Sequence, residues 1–293
     1  MDDQLIFDVG AHRGEDTRYY LEKGFRVVAV EAHPDLAAGL RSLFPDALAS
    51  GQLQIAECAV AETPGTVEFY VNDRISEWGT IRPNWAERNS KLKTTSRSIA
   101  VRSVTFAELL ATYGVPYYLK VDIEGADLLC LEALLDSDDR PAYVSIESEK
   151  RSWDGLLAEF DRFERLGYDR FQLVDQMHID RQRHPATVAE GLASDRPFAY
   201  GSSGLFGRDL PAEWVDRAAA LERYRQIFRA YRIFGDGSLV RRLTRHIPFL
   251  GRALVAPWFD THAALAVTKD VVSRPERDGA GHTNHPELID VSG

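Results

Sequence analysis

Two kinds of hydrophobic pattern alternate along much of the chain. Short, nearly continuous apolar runs are typical of buried parallel strands, and apolar residues every three or four positions are typical of amphipathic helices. This alternation predicts an α/β fold with a mostly parallel sheet. The predicted strands are residues 5–9, 26–30, 53–60, 66–71, 117–121, 143–146, 170–174 and 203–206, and the predicted helices are residues 15–23, 35–44, 125–135 and 153–166.

Two segments depart from this alternation. Residues 72–98 are polar and have no clear period, so they are predicted to form a long loop. A loop of this length in a compact domain usually has a functional role or is mobile. Thr105 and Glu108 have the spacing of a capping box, which predicts a further helix start. The expected organisation is an α/β domain over residues 1–210, a basic helical extension over 211–272 and a disordered tail over 273–293.

The composition indicates in which compartment the protein is expected and which classes of partner are disfavoured. The net charge of −10 argues against nucleic-acid binding, and no apolar run approaches the ~18 residues of a membrane span. The first residues lack the positive region of a secretory signal. Cys58 and Cys130 lie among apolar or small residues, so they are expected to be buried and reduced. The expected location is the cytoplasm.

The charge is unevenly distributed. Residues 213–252 contain nine Arg and no Lys against four acidic residues. The favoured interpretation is a helix packed on the sheet domain or on a second subunit, with a solvated basic face. Docking to an anionic membrane surface or to a phosphate-bearing acceptor is the alternative. The sequence leaves open whether the chain forms a homo-oligomer.

The first predicted strand leads into a turn with glycines at Gly10 and Gly14, and a helix follows. A strand, a glycine turn and a helix are typical of nucleotide and nucleoside sites. A dinucleotide site needs a glycine where this chain has His12, because the backbone must approach the pyrophosphate there. A P-loop needs Lys-Ser or Lys-Thr after its last glycine, which is also missing. S-adenosylmethionine has no phosphates, so its binding requires neither feature.

Two acidic residues favour the same ligand. Asp8 precedes the turn, where its carboxylate would disfavour a phosphate but could hold the ammonium group of a methionine moiety. Glu31 ends the second predicted strand, the position from which an acid bonds the ribose hydroxyls of an adenosine. His12 lies in the turn itself and is a candidate for a polar contact with the cofactor.

A second polar group follows the strand at residues 117–121. Lys120 and Asp122 are two positions apart and therefore share one face of the strand, and Glu124 lies just beyond. Methyl transfer to a hydroxyl requires removal of its proton, which a carboxylate here would suit. Asp122 is therefore the predicted catalytic group, with Lys120 or Glu124 tuning it. Capping of the next helix by Asp122 or Glu124 is the alternative interpretation.

Three segments, FDVGAHRGEDT, VVAVEAHP and YLKVDIEGAD, occur in this order, with VRSV and SIESEK on either side of the third. Together they resemble the FkbM family of S-adenosylmethionine-dependent methyltransferases over about residues 5–175. The resemblance implies a Rossmann-like class I methyltransferase fold with a seven-stranded sheet, and methylation, most often of a hydroxyl. The predicted cofactor-binding residues are Asp8, Gly10, His12, Gly14, Thr17, Glu31, Ala32, Ala59 and Asp122.

Four further residues are candidates for binding the methyl acceptor. Trp78 and Thr80 lie in the predicted loop, which could act as a lid. Glu147 ends the fifth buried strand at the same sheet edge as Asp122, and His178 follows the strand at 170–174. Asp122, Glu124 and Glu147 also have the oxygen ligands that magnesium prefers, although no metal site is predicted from them.

The sequence therefore predicts a cytoplasmic S-adenosylmethionine-dependent methyltransferase that acts on a hydroxyl of a saccharide or natural product by direct in-line transfer. Methylation of a nitrogen or a carboxylate is the nearest alternative. The rivals from other classes are an NAD-linked oxidoreductase and a non-catalytic binding module with the same fold.

Overall fold

The computed structural model of the chain describes residues 2–91, 94–149, 152–199, 201–234 and 258–266. The predicted disordered tail at 273–293 lies outside these residues, and so does much of the predicted basic extension. Within the described part, no helix has the length and apolar character needed to cross a membrane.

A mixed sheet of seven strands, six of them mutually parallel, forms the centre of the molecule. The strands of the chain are β1 (Asp2–Val9), β2 (Arg26–Glu31), β3 (Leu53–Glu57), β4 (Ala59–Val60), β5 (Gly65–Asn72), β6 (Ser96–Val104), β7 (Pro116–Val121), β8 (Tyr143–Glu147), β9 (Tyr168–Asp175) and β10 (Phe259–Leu265). The order of the main sheet is β3-β2-β1-β7-β8-β10-β9, and β10 alone runs antiparallel to its neighbours. The predicted α/β fold with a mostly parallel seven-stranded sheet is confirmed.

Helices cover both faces of this sheet. They are α1 (Glu15–Glu22), α2 (Pro34–Leu43), α3 (Pro45–Ser50), α4 (Pro83–Lys91), α5 (Phe106–Tyr113), α6 (Leu128–Leu135), α7 (Trp153–Arg165) and α8 (Arg217–Phe234). Successive residues of a strand point to opposite faces, so Phe7 packs in the core under α5 to α8, whereas Ile6 packs in the core under α1 and α2. Thr105 and Glu108 form the predicted capping box at the start of α5.

A small second sheet, with the order β4-β6-β5, lies beside the main one. The prediction of a single strand over 53–60 is wrong, because the strand is interrupted at Cys58. β3 pairs with β2, whereas β4 pairs with β6 in the second sheet. The predicted loop at 72–98 contains the helix α4 and the beginning of β6. Its polar residues hid this structure, because only Ala86 and Asn89 of α4 are buried among the residues whose burial is described.

The prediction of a closing strand at residues 203–206 is wrong. Residues 203–206 are not a strand: the backbone N–H groups of Ser203 and Leu205 donate to the side chains of Asp16 and Gln182 rather than to a neighbouring strand. The closing strand is β10, in the segment predicted as a helical extension. Asp260, His262 and two alanines weaken the strand signal of β10, and pairing with β8 and β9 on both edges outweighs this. The extension is helical only at α8 within the described residues.

Candidate active site

A cleft of about 900 Å³ opens beyond the carboxyl ends of β1, β2 and β7. The chain order of the strands reverses here, because β1 is followed on one side by β2 and on the other by β7. Ligands of open α/β sheets bind at such a point, since the loops leaving adjacent strands diverge and leave a crevice. Gly10, Glu31 and Asp122 all line this cleft, so the structure brings the residues of the two main sequence motifs together.

The glycine turn is shaped by close approach of two backbone segments. Gly10 has a φ of 86°, and a Cβ there would lie 2.0 Å from the carbonyl oxygen of Asp122. A larger residue would therefore displace Asp122 from its position. Gly14 also has a positive φ, of 81°, and a Cβ there would lie 2.7 Å from Leu40 Cδ2. Gly14 thus allows α1 to pack on α2, and it does not line the cleft.

His12 lines the cleft and does not point away into solvent. Its φ of 49° is unusual for a residue with a side chain. The conformation is held by two hydrogen bonds: the backbone N–H donates to Glu31 Oε2 at 2.8 Å, and Nε2 lies 2.8 Å from the Ser76 hydroxyl. The side chain occupies the position where a dinucleotide site needs open backbone, which agrees with the argument against NAD.

Glu31 is the acidic residue on the wall of the cleft. It is 6% exposed, and its two oxygens accept the backbone N–H groups of His12 and His33 at 2.8 and 2.7 Å. Burial raises the pKa of Glu31, and these two N–H groups oppose that rise. A carboxylate has about four lone-pair positions. Two of them therefore remain for ligand hydroxyls.

Asp8 lies beneath the cleft and does not line it. Its Oδ1 is 3.2 Å from Lys120 Nζ, and its Oδ2 accepts the Thr17 hydroxyl at 2.6 Å. The side chain is fully buried. Lys120, already next to Asp8, supplies the positive charge that we expected from the cofactor, and Thr17 holds Asp8 rather than a ligand.

Asp8, Asp16 and Lys120 form a buried group that we call the lysine cluster. Lys120 Nζ also donates to the carbonyl oxygen of Gly10 at 3.0 Å and lies 3.8 Å from Asp16 Oδ2. Burial opposes the charge on Lys120, but the carboxylates of Asp8, Asp122 and Asp16 outweigh it and raise the lysine pKa. Burial raises the pKa of Asp16 to about 7, against the attraction of Lys120. The cluster fixes the glycine turn from below.

The loop after β7 holds Asp122 at the mouth of the cleft. The Asp122 side chain is exposed, and its backbone N–H donates to Val9 at 2.9 Å. Asp127 accepts the N–H groups of Ile123 and Gly125, so it closes the loop in place of Asp122 or Glu124. Glu124 has a φ of 47°, and its carbonyl oxygen accepts the Thr80 hydroxyl at 2.8 Å. Asp122 lines the cleft.

The remaining candidates divide between two places. Ala32 and Ala59, two of the predicted cofactor-binding residues, line the cleft. Thr80 is buried with its hydroxyl bonded to the Glu124 carbonyl, and Trp78 is not among the lining residues. Glu147 lines a second cavity. His178 is exposed on the turn after β9, with Nδ1 2.8 Å from Asp175 Oδ2, and lines neither cavity.

Several lining residues were missed by the sequence argument. Asp16 lines the cleft beside Lys120, which was already a candidate, and β5 contributes Phe69 and Val71 to its apolar wall. The alternating pattern of residues 66–71 does indicate a half-buried strand, but nothing in it tells which element the buried face meets. Within the described residues, no group of His, Cys, Asp and Glu has the arrangement of a metal site.

Comparison with known proteins gives one family. The model of the methyltransferase FkbM domain matches residues 8–170. No curated protein matches the chain. Among solved structures, the chain is similar to the crystal structure of precorrin-6y C5,15-methyltransferase from Geobacter metallireducens GS-15, with 12% identity over 91% of this chain and 81% of that chain and a TM-score of 0.37. A TM-score of this size does not establish a shared fold.

Proposed function

The chain belongs to the FkbM methyltransferase family, and on this premise we propose that it transfers the methyl group of S-adenosylmethionine to a hydroxyl oxygen of a saccharide or another natural product. The observation that carries the proposal is that Glu31 and Asp122 line one cleft at the switch point of the sheet. The first can hold a nucleoside, and the second can take part in chemistry beside it.

The lining of the cleft fits this cofactor. Glu31 has free lone pairs for ribose hydroxyls, and Leu36, Val60 and Phe69 offer an apolar wall for an adenine ring. Lys120 and Asp16 line the cleft next to the glycine turn with opposite charges. They suit the carboxylate and the ammonium group of an amino acid, and Asp16 replaces Asp8 as the candidate for the ammonium group. When bound, S-adenosylmethionine supplies an electrophilic methyl group on a sulfonium.

The chain itself has to bring a hydroxyl into line and receive its proton. Asp122 suits both tasks, because its side chain is exposed at the mouth and its backbone is fixed by Val9 and by the close contact with Gly10. Alignment in a fixed geometry contributes about 7–11 kcal/mol to barriers of this kind. Proton transfer to a positioned carboxylate adds a factor of roughly 10²–10⁴.

Calorimetric titration with S-adenosylhomocysteine tests the cofactor. The wild-type protein is expected to bind it, and Glu31→Gln is expected to weaken binding by about tenfold or more, because the amide loses charged acceptors. Glu57→Gln is the matched control: Glu57 pairs with Glu31 in register on β3 but bonds Arg41 outside the cleft. Failure of the wild type to bind would reject the proposal.

Transfer of a radiolabelled methyl group to a panel of hydroxylated saccharides tests the reaction. Asp122→Asn is expected to keep S-adenosylhomocysteine binding and to lower transfer by roughly 10²–10⁴. Label that appears only on nitrogen or on carboxylates, with acceptors that offer all three groups, would replace oxygen as the methylated atom.

A further inference from the structure

The loop that carries Asp122 contains two consecutive residues in the left-handed region. This loop, residues 122–127, joins β7 to α6, and we call it the Asp122 loop. Glu124 has a φ of 47° and Gly125 has a φ of 89°. Glycine adopts such a conformation freely, but for a residue with a side chain it costs free energy and persists only where the surroundings hold it. The shape of the Asp122 loop at Glu124 therefore depends on contacts from other parts of the chain.

One such contact comes from Thr80. Its hydroxyl donates to the carbonyl oxygen of Glu124 at 2.8 Å, and the two residues are 44 positions apart in sequence. The same hydroxyl oxygen accepts the backbone N–H of Arg82 at 3.0 Å. Thr80 is 1% exposed, so water has little access to this hydrogen bond. The Thr80 hydroxyl is therefore committed to the protein on both sides.

The backbone of Thr80 is itself fixed to the small second sheet. Its carbonyl oxygen accepts the N–H of Tyr70 at 2.8 Å, and its N–H donates to the Tyr70 carbonyl at 3.2 Å. Tyr70 belongs to β5, which pairs with β6 along its whole length. The hydroxyl therefore reaches the Asp122 loop from a rigid element. Groups that hold an active-site residue are most effective when they are placed in this way.

A second support comes from the start of α4. The indole ring of Trp85 packs against Gly125 so closely that a Cβ at Gly125 would lie 2.4 Å from Trp85 Nε1. Thr80 and Trp85 thus contact Glu124 and Gly125, the two residues of the loop with a positive φ. The segment between β5 and β6 therefore supports the Asp122 loop where its backbone conformation is least favourable.

We propose that Thr80 is a positioning residue for methyl transfer, which keeps Asp122 in line with the acceptor hydroxyl by holding the Glu124 carbonyl. The inference rests on the proposed function for the role of Asp122. Hydrogen bonding to Val9 fixes the backbone of Asp122 on its N-terminal side, and Thr80 fixes the loop on its C-terminal side. Without the hydroxyl, Glu124 loses this donor and returns more readily to a negative φ, which shifts the loop. A displacement of about 1 Å lowers a rate by about 100-fold.

This role differs from contact with the acceptor, for which Thr80 was a candidate. Thr80 lines neither cavity, and its hydroxyl is already bonded to Glu124 and Arg82. Its loss is therefore expected to lower kcat and to change the affinity for cofactor and acceptor little.

Hydrogen exchange of the full chain, followed by mass spectrometry, tests the support without any acceptor. Thr80→Val keeps the shape of the side chain and removes the hydroxyl. It is expected to raise exchange at residues 122–127 by about tenfold and to leave the amides of β1 and β7 unchanged. Thr95→Val is the matched control, since the Thr95 hydroxyl donates to Asp73 in the same segment and Thr95 lines neither cavity. Unchanged exchange in the loop, or a rise that β1 and β7 share equally, would overturn the proposal.

Methyl transfer separates positioning from a purely structural role. With an acceptor from the saccharide panel, Thr80→Val is expected to lower kcat by roughly 10–100-fold and to change the KM of the acceptor by less than about threefold. Thr80→Ser restores the hydroxyl and is expected to recover most of the lost kcat. Failure of Thr80→Ser to recover kcat would overturn the proposal.

A double variant tests whether Thr80 acts through Asp122. In the Asp122→Asn background, Thr80→Val is expected to lower kcat by less than about threefold, because the carboxylate that Thr80 positions is already absent. An undiminished effect of Thr80→Val in this background would contradict the proposed role.

Thr80→Ala replaces Thr80→Val in every measurement if the valine variant fails to fold, because alanine places no methyl group against the Glu124 carbonyl. If the wild type neither binds S-adenosylhomocysteine nor transfers a methyl group, the proposed function fails, and hydrogen exchange still decides whether Thr80 holds the loop. If the wild type transfers the methyl group and Thr80→Val keeps the full kcat, the positioning inference fails and the proposed function stands.

Discussion

The lysine cluster and the second cavity, which we call the acidic cavity because Asp127, Glu147, Glu149 and Glu159 line it, achieve charge balance in different ways. In the lysine cluster, one cation of the chain lies 3.2 Å from Asp8 and 3.8 Å from Asp16. In the acidic cavity, burial raises the pKa of Glu159 to about 8 and that of Asp127 to about 6, so that Glu159 keeps its proton at neutral pH. Lys120 neutralises the acids of the lysine cluster within the chain, whereas Glu159 is neutralised by a proton.

The largest effect is expected from the removal of Lys120, the cation of the lysine cluster. Lys120→Met would leave Asp8 and Asp16 buried without their partner, and it is expected to lower the free energy of unfolding by roughly 3–5 kcal/mol. Urea denaturation measures the change. The control is Arg41→Met, which removes a surface pair with Glu57 and is expected to cost less than about 1 kcal/mol. Similar losses in the two variants would show that the lysine cluster is not a structural centre.

The acidic cavity should show its dependence on protons as a pH effect. The folded protein keeps the Glu159 proton up to about pH 8, whereas an ordinary glutamate loses it near pH 4.5. Between these pH values the folded state binds more protons than the unfolded state, so stability falls as pH rises. Glu159→Gln is expected to remove part of this decline, amounting to a few kcal/mol.

Denaturant midpoints measured from pH 5 to pH 9 would test this dependence. Asp127, with its pKa of about 6, and Asp16, with its pKa of about 7, contribute declines of the same sign that remain in the variant. The informative quantity is therefore the difference between the two proteins from pH 5 to pH 8, because the contributions of Asp127 and Asp16 cancel in it and the decline due to Glu159 falls in this range. Parallel curves for wild type and Glu159→Gln would mean that Glu159 is ionised in the folded protein.

A smaller effect is expected from loss of the hydrogen bond between Thr17 and Asp8 in the lysine cluster. Thr17→Val keeps the shape of the side chain but removes the 2.6 Å hydrogen bond to Asp8, and it is expected to cost about 1.5–3 kcal/mol. Thr112→Val is the control, because the Thr112 hydroxyl bonds only a backbone carbonyl of its own helix on an exposed face. The difference between the two thermal midpoints isolates the contribution of the buried acceptor.

The sequence predicted which residues lie at the cleft better than it predicted where their side chains point. Glu31 and Asp122 lie where strand ends and motif order placed them, since both depend on local sequence alone. Asp8 was expected to face the cofactor but faces Lys120. That contact depends on the register in which β1 pairs with β7 across more than a hundred residues, and no local pattern contains it.

The residues of the acidic cavity were harder to predict from the sequence. Glu147 was recognised as a residue at the active edge, but Glu159 lies on α7, where an acid among apolar residues looks like part of a solvated face. Its burial is visible only in the structure, where the residue is 2% exposed and accepts the backbone N–H of Glu149. The strand β10 was missed for a similar reason, because its mixed polar and apolar residues form a strand between two partners that are distant in sequence.

The position of β10 also has a consequence for synthesis. A chain that emerges from the ribosome in sequence order has β8 and β9 available early, but the strand that joins them follows residues 176–258. At ~5–20 residues per second, both strands wait on the order of ten seconds with an open edge. Open strand edges invite pairing with other chains. We therefore expect slow translation, or premature stops before residue 259, to direct this protein toward aggregation or toward chaperones that shield the unpaired edges.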